Sequence, residues 1–392
     1  MVTELSYIQT PRQKIIFGTG AINSLKEINA NKAVIVTDNG IMDSLGFLEK
    51  IVRLLKLAGC SVAVFQGVDP DPTIEIIERV RDFILEENPD VIIGLGGGSS
   101  LDAGKVGWIW YEHPNFNFDQ LINEAKLPDL RKKAYYIAIP TTSGTGSEVT
   151  PYAVVSDHRQ TPYRKVGITH KEEIPDIAIL DPLLPSTMPP PITASTGIDA
   201  LSHALECIAC KNTNDFTDAF ALYAIDLIFK YLPKAYSNGS DIEARSKMHS
   251  ASCLAGMAIA NGGAGIMHSL GQILGAEYGI SHGVSVGLFM LDVIKFNSKV
   301  AAERYLKIAK NIGFKADEPE EGVEFLLEEI KKLMNMVNIP KTIKELKIEI
   351  NKENYFKSLD QYADAAMKDG GTPANIRKAT SSDLKELFIK VF

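Results

Sequence analysis

Short apolar runs recur along the first half of the chain. Runs rich in Val and Ile at residues 33–37, 61–65, 91–95 and 136–139 alternate with stretches of helical composition. Strands that alternate with helices in this way are typical of a parallel sheet covered by helices. The pattern predicts an α/β domain with a mostly parallel sheet.

The second half of the chain has the apolar spacing of helices instead. A proline-dense segment at residues 183–192 separates the two halves, and proline interrupts regular elements because it lacks a backbone N–H. We place a domain boundary there, with an α/β domain at residues 1–182 and an all-α domain at residues 183–392. A chain of 392 residues is long for one hydrophobic core and sufficient for two.

A glycine cluster follows one of the apolar runs. Residues 91–105 read VIIGLGGGSSLDAGK, which predicts a strand, a tight turn and a helix. Glycines let the backbone approach a ligand, and the free N–H groups at a helix start favour phosphate. A diphosphate site and a plain tight turn both fit, because Ser99 stands where the third glycine of a G-x-G-x-x-G pattern would fall.

Hydroxyl side chains follow another apolar run. Residues 137–151 read IAIPTTSGTGSEVTP, which suits ribose and phosphate contacts, although a solvated Ser/Thr loop is the alternative. Two such loops after two strands favour a nucleotide cofactor. Asp38 directly follows the run at residues 33–37, where a carboxylate binds a ribose diol or, alternatively, caps a helix.

Four side chains in the second half have the spacing of metal ligands. Asp199 and His203 lie four residues apart in a stretch of strong helix formers, so they share one helix face. His268 opens a helix-like segment, and His282 lies in a predicted turn at its far end. One carboxylate and three imidazoles favour Fe(II), Zn(II) or Mn(II), with a coordination position left open for a substrate. For Asp199 taken alone, a helix capping box that begins at Thr196 is the alternative.

Five motifs occur in an order that resembles the iron-containing, or group III, alcohol dehydrogenases across essentially the whole chain. They are FGTGA at residues 17–21, GGGSS at 96–100, PTTSGTGSE at 140–148, GIDALSHALE at 197–206 and the segment at 268–282. The resemblance implies a dehydroquinate synthase-like fold, in which an N-terminal dinucleotide-binding α/β domain and an all-α C-terminal metal-binding domain enclose the active site between them. It also implies a homodimer or a larger homo-oligomer.

By the same resemblance, each expected site falls on particular residues of this chain. The metal ligands, which are catalytic through the metal, are Asp199, His203, His268 and His282; the cofactor-binding residues are Asp38, Gly97, Gly98, Ser99, Asp102, Thr141, Thr142, Thr145 and Lys165; the substrate pocket includes Tyr152, Ile259 and Gly371. Fe(II) is the expected ion, with Zn(II) and Mn(II) as alternatives.

Two positions refine this expectation. Asp38 matches the family position that discriminates cofactors, where an acid accepts ribose hydroxyls and repels a 2′-phosphate, so NAD(H) is predicted over NADP(H). Gln272 stands where many members have a second His near the nicotinamide. Because glutamine does not exchange protons near neutral pH, a proton relay through this position is absent.

The implied activity is reversible hydride transfer between NAD(H) and a small primary alcohol or aldehyde. The three pocket positions carry neither Arg nor Lys, which favours an uncharged substrate. Glycerol-phosphate dehydrogenases and sugar-phosphate cyclases share the fold and are the alternative activities. A non-catalytic assembly protein is a third interpretation.

Charge and composition narrow the partners and the location. The formal net charge is −8 and no basic run is present, so nucleic acid is not a predicted partner. The first residues lack the basic and apolar character of a signal sequence, and no apolar run reaches the length of a membrane span. We therefore predict a cytoplasmic protein, in which the four cysteines are packed thiols.

Overall fold

The computed structural model describes residues 14–123, 129–159 and 164–392. Within these residues, eight strands form two sheets in the first part of the chain. The strands are β1 (Lys14–Phe17), β2 (Lys32–Asp38), β3 (Ser61–Val68), β4 (Val91–Gly96), β5 (Tyr135–Pro140), β6 (Tyr152–Asp157), β7 (Arg164–Thr169) and β8 (Ile177–Leu180). Six of them pair in parallel in the order β1-β8-β5-β4-β2-β3. The four apolar runs lie in β2, β3, β4 and β5, which confirms the predicted parallel sheet. The hairpin of β6 and β7 is antiparallel and separate.

Helices cover both faces of the six-stranded sheet. They are α1 (Ile41–Ser44), α2 (Phe47–Leu57), α3 (Ile74–Glu87), α4 (Gly98–Glu112) and α5 (Phe118–Asn123). Along β2, Ala33 and Ile35 pack into the core that contains α2, whereas Val34 and Val36 pack into the core that contains α3 and α4. Alternate residues of a strand point to opposite faces, so every residue of this central run is buried.

The second part of the chain is helical, as predicted. It contains α6 (Pro190–Ile208), α7 (Asp215–Ser237), α8 (Ile242–Gly262), α9 (Ile266–Tyr278), α10 (His282–Asn311), α11 (Pro319–Met336), α12 (Lys352–Lys357), α13 (Leu359–Lys368), α14 (Gly371–Ala374) and α15 (Ser381–Val391). A single large hydrophobic core joins most of these helices. The division into domains at residue 182 stays a prediction. Within the described residues, every helix is too short or too polar to cross a bilayer.

One loop of the α/β part packs directly on the helical part. In this hydroxyl-rich loop, residues 141–151, a Cβ added to Gly146 would lie 2.6 Å from the Cα of Gly256 in α8. A Cβ on Gly256 would lie 2.8 Å from the Cα of Gly146, so the two backbones touch only because both residues are glycine. Ser143 Oγ and His249 Nδ1 of α8 are 3.0 Å apart. The loop is therefore anchored to α8.

Candidate active site

The carboxylate of Asp199 is the centre of the predicted metal site. It lies in the middle of α6, which begins at Pro190 because proline is tolerated in the first turn of a helix. The capping interpretation of Asp199 is therefore wrong, since the residue is too far inside the helix to reach its free N–H groups. His203, one turn later, places Nε2 3.9 Å from Oδ1 of Asp199.

Two imidazoles from other helices reach the same oxygen. Nε2 of His268, in the first turn of α9, lies 3.7 Å from Oδ1 of Asp199, and Nε2 of His282 lies 3.5 Å from it. The ligand atoms of Asp199, His268 and His282 all lie within 4.8 Å of one another. The ring of His203 stacks on that of His268 with centroids 4.7 Å apart. The structure thus brings the four predicted side chains together.

The sequence suggests a turn at His282, but the structure shows that this residue is the first of α10. The next residue, Gly283, explains its position. A Cβ on Gly283 would lie 1.9 Å from the carbonyl oxygen of Ser195, so only glycine lets the start of α10 press against the backbone of α6. Ser195 precedes Asp199 by one helical turn, and this contact places His282 beside the carboxylate.

A fifth buried side chain, Glu206, orients His268. Oε1 of Glu206 accepts hydrogen bonds from the backbone N–H groups of Met267 at 2.6 Å and His268 at 3.3 Å, and Oε2 accepts one from Nδ1 of His268. The bond to Nδ1 leaves Nε2 facing Asp199. Metal-binding histidines usually donate their second N–H to such a partner. Sequence analysis missed this role, although Glu206 follows Asp199 by seven residues and shares its helix face.

The protonation states of Asp199, His203 and His282 suit metal ligands, whereas His268 must lose a proton before it binds a cation. Burial raises the pKa of an isolated carboxyl, but the neighbouring histidines outweigh it and hold the pKa of Asp199 well below its usual range. Burial lowers the pKa of His203, and it lowers that of His282 to about 4, so both rings are neutral at pH 7. Burial opposes the charged form of His268 as well, yet Glu206 and Asp199 together raise its pKa to about 10.

Three buried atoms of this cluster have no hydrogen-bond partner among the described residues. They are Oδ1 of Asp199, Nε2 of His268 and Nδ1 of His203. A buried polar atom without a partner is costly, so native proteins rarely leave one unsatisfied. A divalent cation would satisfy the first two of these atoms, and a carboxylate with imidazoles suits iron, zinc or manganese. The residues therefore fit a metal ion.

The predicted nucleotide-binding residues line the carboxyl end of the parallel sheet. The glycine turn, residues 96–99, leads from β4 into α4, whose N-terminus carries no side-chain cap. The N–H of Thr141 donates to the carbonyl of Gly96 at 2.9 Å, which ties the hydroxyl-rich loop to this turn.

The glycines of the turn lie close to the threonines of the loop. A Cβ on Gly98 would lie 2.7 Å from Cγ2 of Thr145, and a Cβ on Gly97 would lie 3.4 Å from Cγ2 of Thr142. The free N–H groups of α4 make this turn suitable for a diphosphate.

Asp38 lies beside the same turn, at the end of the neighbouring strand. Its Oδ1 accepts hydrogen bonds from the N–H groups of Ile41 at 2.6 Å and Met42 at 3.1 Å. Its Oδ2 faces the glycine turn, since a Cβ on Gly96 would lie 3.8 Å from it. One oxygen therefore caps α1 while the other points toward the turn, so the two interpretations of this residue are compatible.

Asp102, one of the predicted cofactor-binding residues, is partly buried next to the hydroxyl-rich loop. Its Oδ1 accepts a hydrogen bond from Ser147 Oγ at 2.6 Å, and its Oδ2 accepts one from the N–H of Val154 at 2.9 Å. With both oxygens bonded inside the protein, Asp102 holds the hydroxyl-rich loop to β6. Lys105, which is fully buried, donates to the carbonyls of Thr150 at 2.9 Å and Tyr152 at 2.8 Å.

Lys165 lies in β7, which packs against α9, the helix that carries His268. The Lys165 side chain is only 6% exposed, and Nζ lies 2.7 Å from Oδ1 of Asp71. The positive charge of this ammonium is among the influences, after burial, that lower the pKa of His282. Lys165 is thus within electrostatic range of the metal ligands.

The three predicted substrate-pocket residues form two contacts. The hydroxyl of Tyr152 donates to the carbonyl of Ile259 in α8 at 2.8 Å. Gly371 packs close to Ser269, the residue after His268, since an added Cβ would lie 2.8 Å from Ser269 Oγ. These contacts lie on the helices that carry or flank the metal ligands.

A family model described as iron-containing alcohol dehydrogenase matches residues 11–182, and the C-terminal model of the Fe-containing alcohol dehydrogenase family matches residues 193–392. The chain belongs to the iron-containing alcohol dehydrogenases. This confirms the family, the fold and the oxidoreductase class expected from sequence.

Relatives in the family cover nearly the whole chain. An NADPH-dependent butanol dehydrogenase of Clostridium saccharobutylicum is 40% identical, with 96% of each chain covered. An NAD-dependent methanol dehydrogenase of Bacillus methanolicus is 35% identical and covers 95% of this chain and 96% of its own. The structure of an alcohol dehydrogenase from Oenococcus oeni superposes with a TM-score of 0.92 at 31% identity, over 99% of this chain and 100% of its own. Longer relatives also match: the chain spans 44% of the aldehyde-alcohol dehydrogenase of Streptococcus pneumoniae.

Proposed function

We propose that this iron-containing alcohol dehydrogenase transfers a hydride reversibly between NAD(H) and a small primary alcohol or aldehyde. The observation that carries the proposal is the convergence of His203, His268 and His282 on one oxygen of Asp199. These four residues would hold Fe(II). The metal supplies Lewis acidity, which favours ionisation of a substrate hydroxyl at neutral pH.

The protein contributes position and a dry environment. Asp199, His203 and His268 are each less than a tenth exposed, which excludes water from most of the site. Exclusion of water strengthens electrostatic interactions at the reacting groups. The anchored hydroxyl-rich loop would keep Thr141, Thr142 and Thr145 on the nicotinamide side, and the glycine turn would bind the diphosphate.

NAD(H) is proposed over NADP(H) because Oδ2 of Asp38 faces the glycine turn, where a carboxylate repels a 2′-phosphate. Relatives of both preferences exist, namely the methanol and the butanol dehydrogenase. The ratio of kcat/KM for NADH to that for NADPH measures the preference. A ratio below one would contradict it.

A small uncharged substrate is proposed because Tyr152, Ile259 and Gly371 offer no cationic side chain. The names of the two relatives, butanol and methanol dehydrogenase, agree with this substrate class. Gln272 is proposed to carry no proton, since an amide does not titrate near neutral pH.

The decisive experiment is anaerobic NADH oxidation with short aldehydes, using protein stripped of metal and refilled with Fe(II), Zn(II) or Mn(II). We expect Fe(II) to restore turnover best. The variant His268→Ala should lose bound metal and activity together, whereas His158→Ala, which removes an exposed imidazole, should keep both. An active, metal-free His268→Ala protein would contradict the proposal.

The homodimer and the cytoplasmic location stay predictions. Light scattering on the purified protein tests the first. A monomer at micromolar concentration would contradict it.

A further inference from the structure

Asp71 links the glycine turn to the strand that carries Lys165. It lies in the loop between β3 and α3, outside every set of residues assigned above. Its backbone N–H donates to Ser99 Oγ at 3.2 Å, and its carboxylate oxygen Oδ1 lies 2.7 Å from Nζ of Lys165. One residue therefore contacts both the proposed diphosphate site and the one lysine proposed to bind the cofactor.

Lys165 needs such a partner. Its side chain is 6% exposed, so its ammonium has lost most of its water. β7 also packs against α9, the helix that carries His268, so a divalent ion at the metal site would repel the ammonium. A largely buried charge is tolerated only when it is paired. Asp71 supplies the single ion pair of Lys165 in the part of the chain that the structure describes.

The loop around Asp71 is constrained. Pro70 and Pro72 flank the residue, and the carbonyl of Pro72 accepts a hydrogen bond from the N–H of Ser156 in β6 at 2.8 Å. Thr73 caps α3 and forms a bridge with Ser156. Asp71 itself has a φ of +56°, a left-handed conformation that costs energy for most residues but is tolerated by Asp and Asn. These contacts fix the loop, and with it the carboxylate of Asp71, against the β6–β7 hairpin that carries Lys165.

We propose that Asp71 is a positioning residue that holds the Lys165 ammonium between the glycine turn and the metal site, ready for the nicotinamide half of the dinucleotide. The inference rests on the proposed function. Ser99 belongs to the proposed diphosphate site and His282 to the proposed metal site, so the part of the cofactor that joins them meets the ammonium. Without Asp71, repulsion from the metal side turns Lys165 away toward solvent.

Binding of two ligands to the metal-loaded protein tests the proposal. The variant Asp71→Asn removes the charge and keeps both the shape and the tolerance of positive φ. We expect its dissociation constant for NADH, followed by NADH fluorescence, to rise about tenfold, the usual size of one lost hydrogen bond to a charged group. The dissociation constant for ADP, which lacks the nicotinamide half, should stay unchanged.

Two further variants sharpen the test. Asp69→Asn makes the same charge change two residues earlier, where the exposed side chain forms none of the ion pairs found in the described residues, and should bind NADH as the wild type does. Lys165→Met should weaken NADH binding at least as much as Asp71→Asn. Adding Asp71→Asn to Lys165→Met should then cause no further loss, because the partner is already gone.

The outcomes separate the positioning role from the proposed function. If Asp71→Asn binds NADH as tightly as the wild type, or weakens ADP and NADH equally, the positioning role is wrong. An additive loss in the double variant would also overturn it. If the wild-type protein binds neither NADH nor ADP, the proposed function itself fails.

Discussion

The carboxylate of Glu206 is hydrogen-bonded to Nδ1 of His268, 62 positions further along the chain, and this bond aims the other ring nitrogen at Asp199. The same carboxylate accepts the N–H groups of Met267 and His268, so it fixes the start of α9 as well as the ring. One acidic side chain therefore sets both the place and the orientation of a candidate metal ligand.

Replacing Glu206 with glutamine should weaken metal binding. Glutamine has one acceptor oxygen, so either the backbone N–H groups or the imidazole loses its partner. Loss of such a partner lowers metal affinity by about 10- to 100-fold. Competition with a chelator measures the affinity, and Glu243→Gln, an exposed site on α8, is the matched control. Wild-type affinity in Glu206→Gln would show that the ring is oriented without this bond.

Replacing Asp38 with glycine should move the cofactor preference toward NADP(H). The variant loses the carboxylate that repels a 2′-phosphate and accepts ribose hydroxyls. We expect kcat/KM to rise with NADPH and to fall with NADH. Asp43→Asn, a charge change within α1, should leave the ratio unchanged. A variant with an unaltered ratio would mean that Asp38 serves only to cap α1.

Shortening Tyr152 should widen the proposed substrate pocket. Tyr152→Ala removes the ring, so kcat/KM should rise for longer aldehydes relative to acetaldehyde. Tyr152→Phe keeps the ring and loses only the hydrogen bond to Ile259, so it should retain the wild-type preference. Initial rates with a series of linear aldehydes measure the effect. The same chain-length profile in all three proteins would place the pocket elsewhere.

Glu148 should make folding stability dependent on pH. Burial raises the pKa of this carboxyl from 4.5 to about 7, since the charged form is poorly solvated despite Lys105 nearby. A raised folded-state pKa means that its contribution is fully present below pH 4.5 and is lost as the pH rises to about 7.

The variant Glu148→Gln stays neutral and removes this dependence. Its Tm should exceed that of the wild type by an amount that grows from pH 5 to pH 7 and is constant above. Thermal unfolding across that range measures the difference, with Glu243→Gln as the exposed control. A constant difference at every pH would show that Glu148 is ionised in the folded protein throughout.

The sequence predicted the parts of the molecule that depend on local pattern. Strand and helix periodicity located the parallel sheet and the helical half, and motif order selected four candidate metal ligands that the structure brings together. Features created by contacts between distant segments escaped prediction. From sequence alone, Glu206 is an ordinary helix residue, and only the packing of α9 against it reveals its role. Asp199 fits a helix cap by sequence, but the helix begins nine residues earlier, at Pro190.

The same reason explains the other differences. The pairing of β6 with β7 depends on residues whose apolar pattern is weak, and the contact of Asp71 with Lys165 joins a loop to a strand of unrelated sequence. His282 appeared to lie in a turn because glycine follows it, whereas the glycine serves the contact with Ser195. In each case the partner of a residue, and not its own sequence context, decides its role.

The contact between Gly146 and Gly256 limits how this enzyme can be recombined. The α/β half and the helical half meet where neither residue has a side chain, so the halves are not freely interchangeable modules. A chimera that takes its helical half from a relative with any larger residue opposite Gly146 would wedge the hydroxyl-rich loop away from α8. Exchange of halves between relatives therefore requires glycine at both of these positions.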